Sequence, residues 1–438
     1  MPPEEYNGYI ELTKYSGGVA HMESYVIEGG KRLEGELQID GAKNAVLPII
    51  AATILNGKQS IIHNCPQILD VMIMIEILRQ LGCTAKWDNK TLIINASNID
   101  RYEVSDKLVR EMRSSIIVLG ALLGRFQKGT ISYPGGCQLG ARPIDLHLKA
   151  FQDMGAEIVE EHGFIICKEK RLHGAKIYLD FPSVGATENI MLAAVLAKGT
   201  TFIHNAAKEP EIKDLQNFLN AMGAKIQGAG HGTIQIEGVD CLRDVEFTVM
   251  PDRIIAGTYL IAGAITKGDV SLTKVEPDHL YAVTTKLRDM GCRIIEEKDK
   301  IHLKSPSVLK AVDLIKTQPY PGFPTDMQAQ FMALLSIAQG TSIISETVFE
   351  SRYKHANELI RLGADIQIDG RIAVIKGVTH LQGATVEAQD LRGGAALVLA
   401  GLVAKGITQV TNVTHIKRGY AAIIQDLQAL GAKIYLKE

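Results

Sequence analysis

DLQNFLNAMGA, residues 214 to 224, reads as an amphipathic helix closing on a Met-Gly-Ala signal, and AIIQDLQALGA, residues 422 to 432, repeats the form near the end of the chain. Apolar residues three and four apart mark one buried face in each. The glycine is the residue that most readily ends a helix in a left-handed turn. Outward from these two, the Leu/Met-Gly-Ala/Cys signature recurs at Leu81-Gly82-Cys83, Met154-Gly155-Ala156, Met290-Gly291-Cys292 and Leu362-Gly363-Ala364. The six glycines are spaced by 73, 68, 68, 72 and 68 residues, so six units of about 70 residues fill the chain from Met22 to Glu438.

Each unit follows one grammar. An apolar helix ends near a glycine and feeds a strand, as in LAAVLAKGTTFIHN, LIAGAITKGDVSLTKV and LVLAGLVAKGITQVTNV. The amphipathic helix follows, and after its glycine come two short strands, as in TAKWDNKTLIIN with its Asp88-Asn89 turn. The first helix is apolar nearly all round and is predicted to be buried, with the amphipathic helix and the sheets outside it. The class is α/β, and six units split into two groups of three, predicting two similar domains. No GxGxxG follows a strand, which argues against a dinucleotide-binding fold.

Composition narrows the function. The 438 residues are too many for one ordinary core. With 46% hydrophobic, 22% charged and 5% aromatic residues, the chain reads as a globular protein with an aliphatic core. A net charge of −2 does not mark a nucleic-acid binder, so any anion site must be built locally. Six cysteines without a CxxC pair, and no HExxH, imply a reducing compartment and no structural metal. The apolar stretches at 46–55 and 254–266 are too short or too broken by glycine to cross a bilayer. Residues 1–21 lack the apolar run of a signal peptide and read as an extension before Met22. A cytoplasmic location is expected.

The chemistry concentrates at the heads of the buried helices. Polar motifs stand there in every unit: GAKN (41–44), REMRSS (110–115), FPSVGATEN (181–189), PDR (251–253), FPTDMQ (323–328) and DLRGG (390–394). Helix N-termini offer unpaired N–H groups and a positive dipole end, which suit phosphate and carboxylate. Two triads of helices facing each other would converge on one cleft that takes a highly anionic substrate. In PGGCQLGARP, residues 134 to 143, Cys137 sits among glycines with Arg142 five residues on. Most cysteines are small buried hydrophobes, as Cys167 in GFIICK reads. A thiol in a Gly/Pro/Arg loop instead has the electropositive, accessible setting of a reactive one.

GAKNAVLP, PGGCQLGARPIDLH, SVGAT, FPTDMQAQ, ETVFESRYKH, DLRGGAALVLAG and RGY, in this order, resemble the UDP-N-acetylglucosamine 1-carboxyvinyltransferase family of enolpyruvyl transferases, and the likeness covers Met22 to Glu438. The resemblance implies two inside-out α/β barrel domains of three repeats each, with the active site in the interdomain cleft. Residues 43–250 would form one domain, and residues 22–42 with 251–438 the other. It implies transfer of the enolpyruvyl group of phosphoenolpyruvate to the 3′-hydroxyl of UDP-N-acetylglucosamine, releasing phosphate, as the first committed step of peptidoglycan precursor synthesis. These two small molecules are the expected partners; neither a cofactor, a metal, a nucleic acid nor a membrane is called for.

Residue by residue, the resemblance assigns Cys137 as the proton donor, a position alkylated by fosfomycin in this family, and Asp326 as the acceptor of the sugar hydroxyl proton. Lys43 and Arg418 complete the catalytic set. Lys43, Asn44, Arg142 and Arg418 would hold phosphoenolpyruvate, whose phosphate and carboxylate suit charge-assisted contacts. Arg113, Arg142, Pro143, Ile144, Asp145, Leu146, Ser183, Val184, Gly185, Asp326 and Val348 would hold the nucleotide sugar, with Arg352, Asp390 and Arg392 supporting. A thiol titrating near 8.5 is a fit acid at neutral pH, where an ordinary carboxyl is ionised. Plainer roles stand beside these: surface ion pairs for the arginines, a helix N-cap for Asp326, core packing for Leu146 and Val348. Ile255 departs from the pattern, which has an acidic residue there in many relatives.

Two rivals are weighed. A 3-phosphoshikimate 1-carboxyvinyltransferase shares the architecture and donor but would lack the cysteine loop and RPIDL. A non-catalytic UDP-sugar sensor would have no need of the Cys137, Asp326 and Lys43 set.

Overall fold

The structure, a computed structural model, describes residues 23–134, 144–168 and 170–438. Six helices are buried along most of their length: Lys43–Ala52, Ile117–Phe126, Val184–Ala194, Arg253–Ile265, Gln328–Leu335 and Leu391–Gly401. Their Ala and Leu side chains lose little on being ordered in a helix, and burial on all sides supplies the stabilisation that short helices lack alone. Three have side-chain caps, from Ser183, Asp252 and Asp390, each accepting from a first-turn N–H. At two heads the chain first makes a 3-10 turn, Arg113–Ile116 and Thr325–Met327. The tighter turns close on Ser115 N to Met112 O and Met327 N to Pro324 O, both 3.0 Å.

Among the described residues the strands form six separate sheets, five of four strands and one of three. One face of each is apolar, as in Thr233–Glu237, where Ile234 and Ile236 are buried and their neighbours are not. The amphipathic helices close on the repeated glycine with φ of 109° at Gly82, 92° at Gly155, 103° at Gly223, 98° at Gly291, 91° at Gly363 and 97° at Gly431. This left-handed conformation is open to glycine at no steric cost.

The buried side chains fall into two clusters. One runs from Ala42 to Met250; the other joins Tyr25–Ile39 to Ile254–Ile434. In the first, Val245–Thr248 lies parallel to Gln59–His63, bringing the end of that stretch back to its beginning. In the second, Ser24–Glu28 runs antiparallel between Ile407–Thr411 and Lys433–Lys437, with Tyr25 opposite both Val410 and Leu436. Glu34–Gln38 adds in parallel to Asp269–Thr273. A buried ion pair joins the clusters: Arg253 donates to Glu211 from Nε at 2.9 Å and from Nη2 at 3.3 Å.

In the first core two buried helices come close enough to exclude a methyl group. A Cβ at Gly120 would stand 2.2 Å from Asn189 Oδ1 and 2.3 Å from Asn189 O. Gly120→Ala is therefore expected to destabilise the protein by about 1–3 kcal/mol through overpacking, read as a lower urea midpoint with an unchanged slope.

Candidate functional site

Lys43 opens the first buried helix, and its own N–H donates to Asp252 Oδ2 at 3.0 Å. Asp252 also accepts from Ile254 N and Ile255 N at 2.8 and 2.9 Å, so one carboxylate fastens helix heads from both cores. The Lys43 ammonium stands 2.7 Å from Asp70 Oδ2. Arg418 reaches the same carboxylate from the second core, Nε to Oδ1 at 2.8 Å and Nη2 to Oδ2 at 3.3 Å. Asp70 lies in the first turn of the Leu69–Leu81 helix and is 1% exposed. Burial pushes its acid upward, but the charges of Lys43 and Arg418 outweigh that and hold it below the usual aspartate range. For Lys43, burial and the nearby Arg392 and Arg418 win over the pull of Asp70 and lower the ammonium below its ordinary value.

Next to this clamp lies a second. Asp326 Oδ1 accepts from Arg352 Nη2 at 2.8 Å, and Oδ2 accepts from Arg392 Nη2 at 3.0 Å and Nε at 3.3 Å. Asn44 Nδ2 lies 3.5 Å from Asp326 Oδ2. Arg352 also donates to Thr325 Oγ1 at 3.1 Å, and Arg392 to the Tyr420 hydroxyl at 3.4 Å. The guanidinium side chains are 3% and 4% exposed, while Asp326 keeps 26% exposed. The carboxylate thus faces outward from a buried positive wall. Burial raises its acid, but Arg392 and Arg352 dominate and hold it well below the usual carboxylate range. Asp326 caps no helix, since its oxygens are taken by guanidiniums. Capping falls instead to Asp390, which accepts from Arg392 N and Gly393 N at 3.0 and 2.9 Å and so fixes the helix head that carries Arg392.

The structure thus brings Lys43, Asn44, Asp326, Arg352, Arg392 and Arg418 into one group, with Asp390 beneath it. Of the remaining expected residues, Arg113, Ile144–Leu146 and Ser183–Gly185 stand at other helix heads, and Val348 lies in the loop after the Thr341–Ser345 strand. Arg113 is half-buried at its 3-10 turn. Ile144 is buried, Asp145 is exposed at the start of the Asp145–Asp153 helix, and Leu146 packs partly against the first core. Ser183 Oγ accepts from Ala186 N at 3.3 Å, and Val184 and Gly185 are the first residues of the helix it caps. Val348 is half-buried, its N–H on Glu346 Oε1 at 2.8 Å. Cys137, Arg142 and Pro143 lie outside the described residues.

Sequence reasoning missed Asp70 and gave no role to Asp252 or Tyr420, which stand in the PDR and RGY motifs. The only signal for Asp70 is an acid at the head of an otherwise apolar helix, LDVMIMIEIL. Among the described residues no group of three or more His, Cys, Asp or Glu is placed to hold a metal ion, and no helix is long and apolar enough to cross a membrane.

The sequence profile of EPSP synthase (3-phosphoshikimate 1-carboxyvinyltransferase) matches residues 27–427. The chain belongs to the EPSP synthase family. Within this family it is 54% identical over 413 residues to UDP-N-acetylglucosamine 1-carboxyvinyltransferase 2 of Caldanaerobacter subterraneus subsp. tengcongensis, covering 94% of this chain and 99% of the relative. It is also 54% identical over 418 residues to UDP-N-acetylglucosamine 1-carboxyvinyltransferase 1 of Symbiobacterium thermophilum, covering 94% and 95% of the two chains. The crystal structure of the enolpyruvyl transferase NikO from Streptomyces tendae superposes with a TM-score of 0.86 at 27% identity, over 95% of this chain and 99% of that one. The mixed α/β architecture of the EPSP synthase family is therefore that of this chain.

Proposed function

We infer that this protein is a UDP-N-acetylglucosamine 1-carboxyvinyltransferase, moving the enolpyruvyl group of phosphoenolpyruvate to the 3′-hydroxyl of the nucleotide sugar with release of phosphate. The observation that carries the reading is the pair of adjacent clamps, Lys43 and Arg418 on Asp70 beside Arg352 and Arg392 on Asp326, in a chain half identical to enzymes of that name. Four cations in one group suit a donor bearing a phosphate and a carboxylate.

In the proposed mechanism Lys43, Arg418 and Arg142 hold phosphoenolpyruvate, with Asn44 adding a neutral donor. Cys137 gives a proton to the methylene carbon as the sugar oxygen bonds to the neighbouring carbon, and Asp326 takes the hydroxyl proton. The resulting tetrahedral adduct then loses a methyl proton and inorganic phosphate, regenerating the vinyl ether. Arg352 and Arg392 keep Asp326 ionised and therefore ready to accept. Ser183, Val184 and Gly185 seat the diphosphate, the segment 142–146 the uridine, and Arg113 and Val348 complete the nucleotide-sugar side.

The proposal extends to architecture. Two inside-out barrel domains, 43–250 and 22–42 with 251–438, agree with the two separate cores and with the N-terminal strands pairing into the second. The reaction is placed in the cytoplasm, where nucleotide sugars and phosphoenolpyruvate are available.

Phosphate release from phosphoenolpyruvate is expected to require UDP-N-acetylglucosamine and to disappear in Cys137→Ala. Release driven instead by shikimate 3-phosphate would assign the chain to the other branch of the family. Nucleotide-sugar binding without release would make it a sensor.

A further inference from the structure

The sheet made of Leu314–Lys316, Thr341–Ser345, Ile372–Lys376 and Asp365–Asp369, in that order across, differs from the other five on its outer face. Its middle row runs Leu314, Ile343, Val374 and Gln367 in direct register, and Ile372 stands on the same face two residues from Val374. The four aliphatic side chains are 37–46% exposed. The matching row of the sheet built on Asp269–Thr273 reads Glu36, Ser271, His302 and Ile295. Charge is disposed differently as well. Each of the other five sheets pairs a carboxylate with lysine or histidine between strands on its outer face, at 2.6 to 2.8 Å, as Lys300 with Glu36 and Lys433 with Glu28. Here Lys376 stands directly opposite Asp365, and Lys316 and Asp369 end the row on the other side of the aliphatic one. Among the described residues none of these four charges has an ion-pair partner.

A contiguous row of exposed aliphatic side chains, with charges left unpaired beside it, marks an interaction surface. Sheets bury such faces against one another about 10 Å apart with their strands nearly aligned. Assemblies of identical chains are most often two-fold. An axis across the strands would set Asp365 over Asp369 and Lys376 over Ile372, which opposes like charges and buries a cation on an aliphatic side chain. An axis along the strands, between Thr341–Ser345 and Ile372–Lys376, does the reverse. Ile343 then faces Val374 of the second copy, Ser345 faces its Ile372, and Lys316 faces its Asp369, each contact being made twice. We propose that this outer face is the interface of a homodimer, in which a second copy of the chain covers the aliphatic row and supplies the missing partners of Lys316 and Asp369. The row provides the stability and the charge pairs at its rim fix the axis. The proposal goes beyond the enzymatic reading and does not depend on it.

Sedimentation velocity of the full chain tests this through mass, independently of turnover. The wild type, 47.7 kDa per chain, should pass from monomer toward dimer as its concentration rises from about 1 to 100 μM. Ile343→Lys puts a charge at the centre of the row in both copies and should raise the dimer Kd at least about 100-fold, with the circular dichroism of wild type retained. Lys316→Asp and Asp369→Lys each set like charges face to face and should each raise Kd about 10-fold. Combined, the two reversals restore opposite charges and should bring Kd back to within about threefold of wild type. If Ile343→Lys fails to fold, the charge series decides, since both of its side chains are exposed. A folded Ile343→Lys that dimerises as well as wild type, or a double reversal weaker than either single one, would overturn the proposed pairing. A wild type that stays monomeric at about 100 μM would overturn the dimer and leave the face to a different protein.

Discussion

Replacing Asp326 by asparagine is expected to lower kcat for phosphate release by about a hundredfold to ten-thousandfold, the range for loss of a positioned proton acceptor. The change removes the acceptor while keeping its shape, so nucleotide-sugar binding measured by calorimetry should survive far better than turnover. The geometry also sets the pH behaviour. Burial alone would raise this carboxyl, but Arg392 and Arg352 hold it well below the usual range. A proton acceptor must be ionised, and this one stays ionised throughout the mildly acid region. The kcat/KM profile should therefore show no acid limb from Asp326 between about pH 5 and 7, where an unperturbed carboxyl near 3.9 would begin to protonate at the lower end. The two arginines that keep it ionised also make it a weak base. Substrate anions that draw Arg352 or Arg392 away would strengthen it as the ligand arrives. A limb near pH 6 that vanishes in Asp326→Asn would contradict this account.

Asp70→Asn is expected to show the second largest effect, on stability and catalysis together. Removing one partner of a buried charge pair typically costs about 3–5 kcal/mol, because the other charge is left without compensation. Here two cations, Lys43 and Arg418, would face each other across a neutral amide. The folded-state pKa of Asp70 is depressed, so its contribution is fully present above the unfolded value of about 3.9 and is lost as pH falls through the lower folded value. Wild type should thus exceed Asp70→Asn in urea unfolding at pH 7, and the two curves should converge only in strong acid. KM for phosphoenolpyruvate should rise, since Lys43 and Arg418 lose the group that holds them side by side. Equal stability at pH 7 would mean that the carboxylate contributes nothing net.

The six-fold architecture was legible in the sequence for a reason visible in the backbone. The glycine of each Leu/Met-Gly-Ala/Cys signature sits at positive φ where its amphipathic helix closes. That conformation restricts the residue type, so the repeat leaves a mark at each closure. Lys43, Asn44, Asp326 and Arg392 were legible too, as polar side chains at the heads of apolar helices, where burying a charge without a partner would be costly, whereas Arg352 and Arg418 came only through the family resemblance. Asp70 was not. Its neighbours are the apolar residues of an ordinary amphipathic helix, and its importance comes from cations 27 residues before it and 348 after it. The 3-10 turns before two buried helices also escaped, because a single i→i+3 closure has no periodicity of its own.

The pairing of Ser24–Glu28 with Ile407–Thr411 and Lys433–Lys437 bears on how the chain is made. A ribosome emits Ser24–Glu28 long before its two neighbours, so that sheet cannot close until residues 407–437 have emerged. The residues of the first core, 42 to 250, emerge in one uninterrupted run. Domains generally fold as units during synthesis, earlier ones first, and pairings between distant segments form slowly. The nascent chain is thus expected to carry a finished first core while Ser24–Glu28 waits for residues 407–437. Arrested chains ending near residue 300 should protect 42–250 from proteolysis and leave 24–38 open to cleavage.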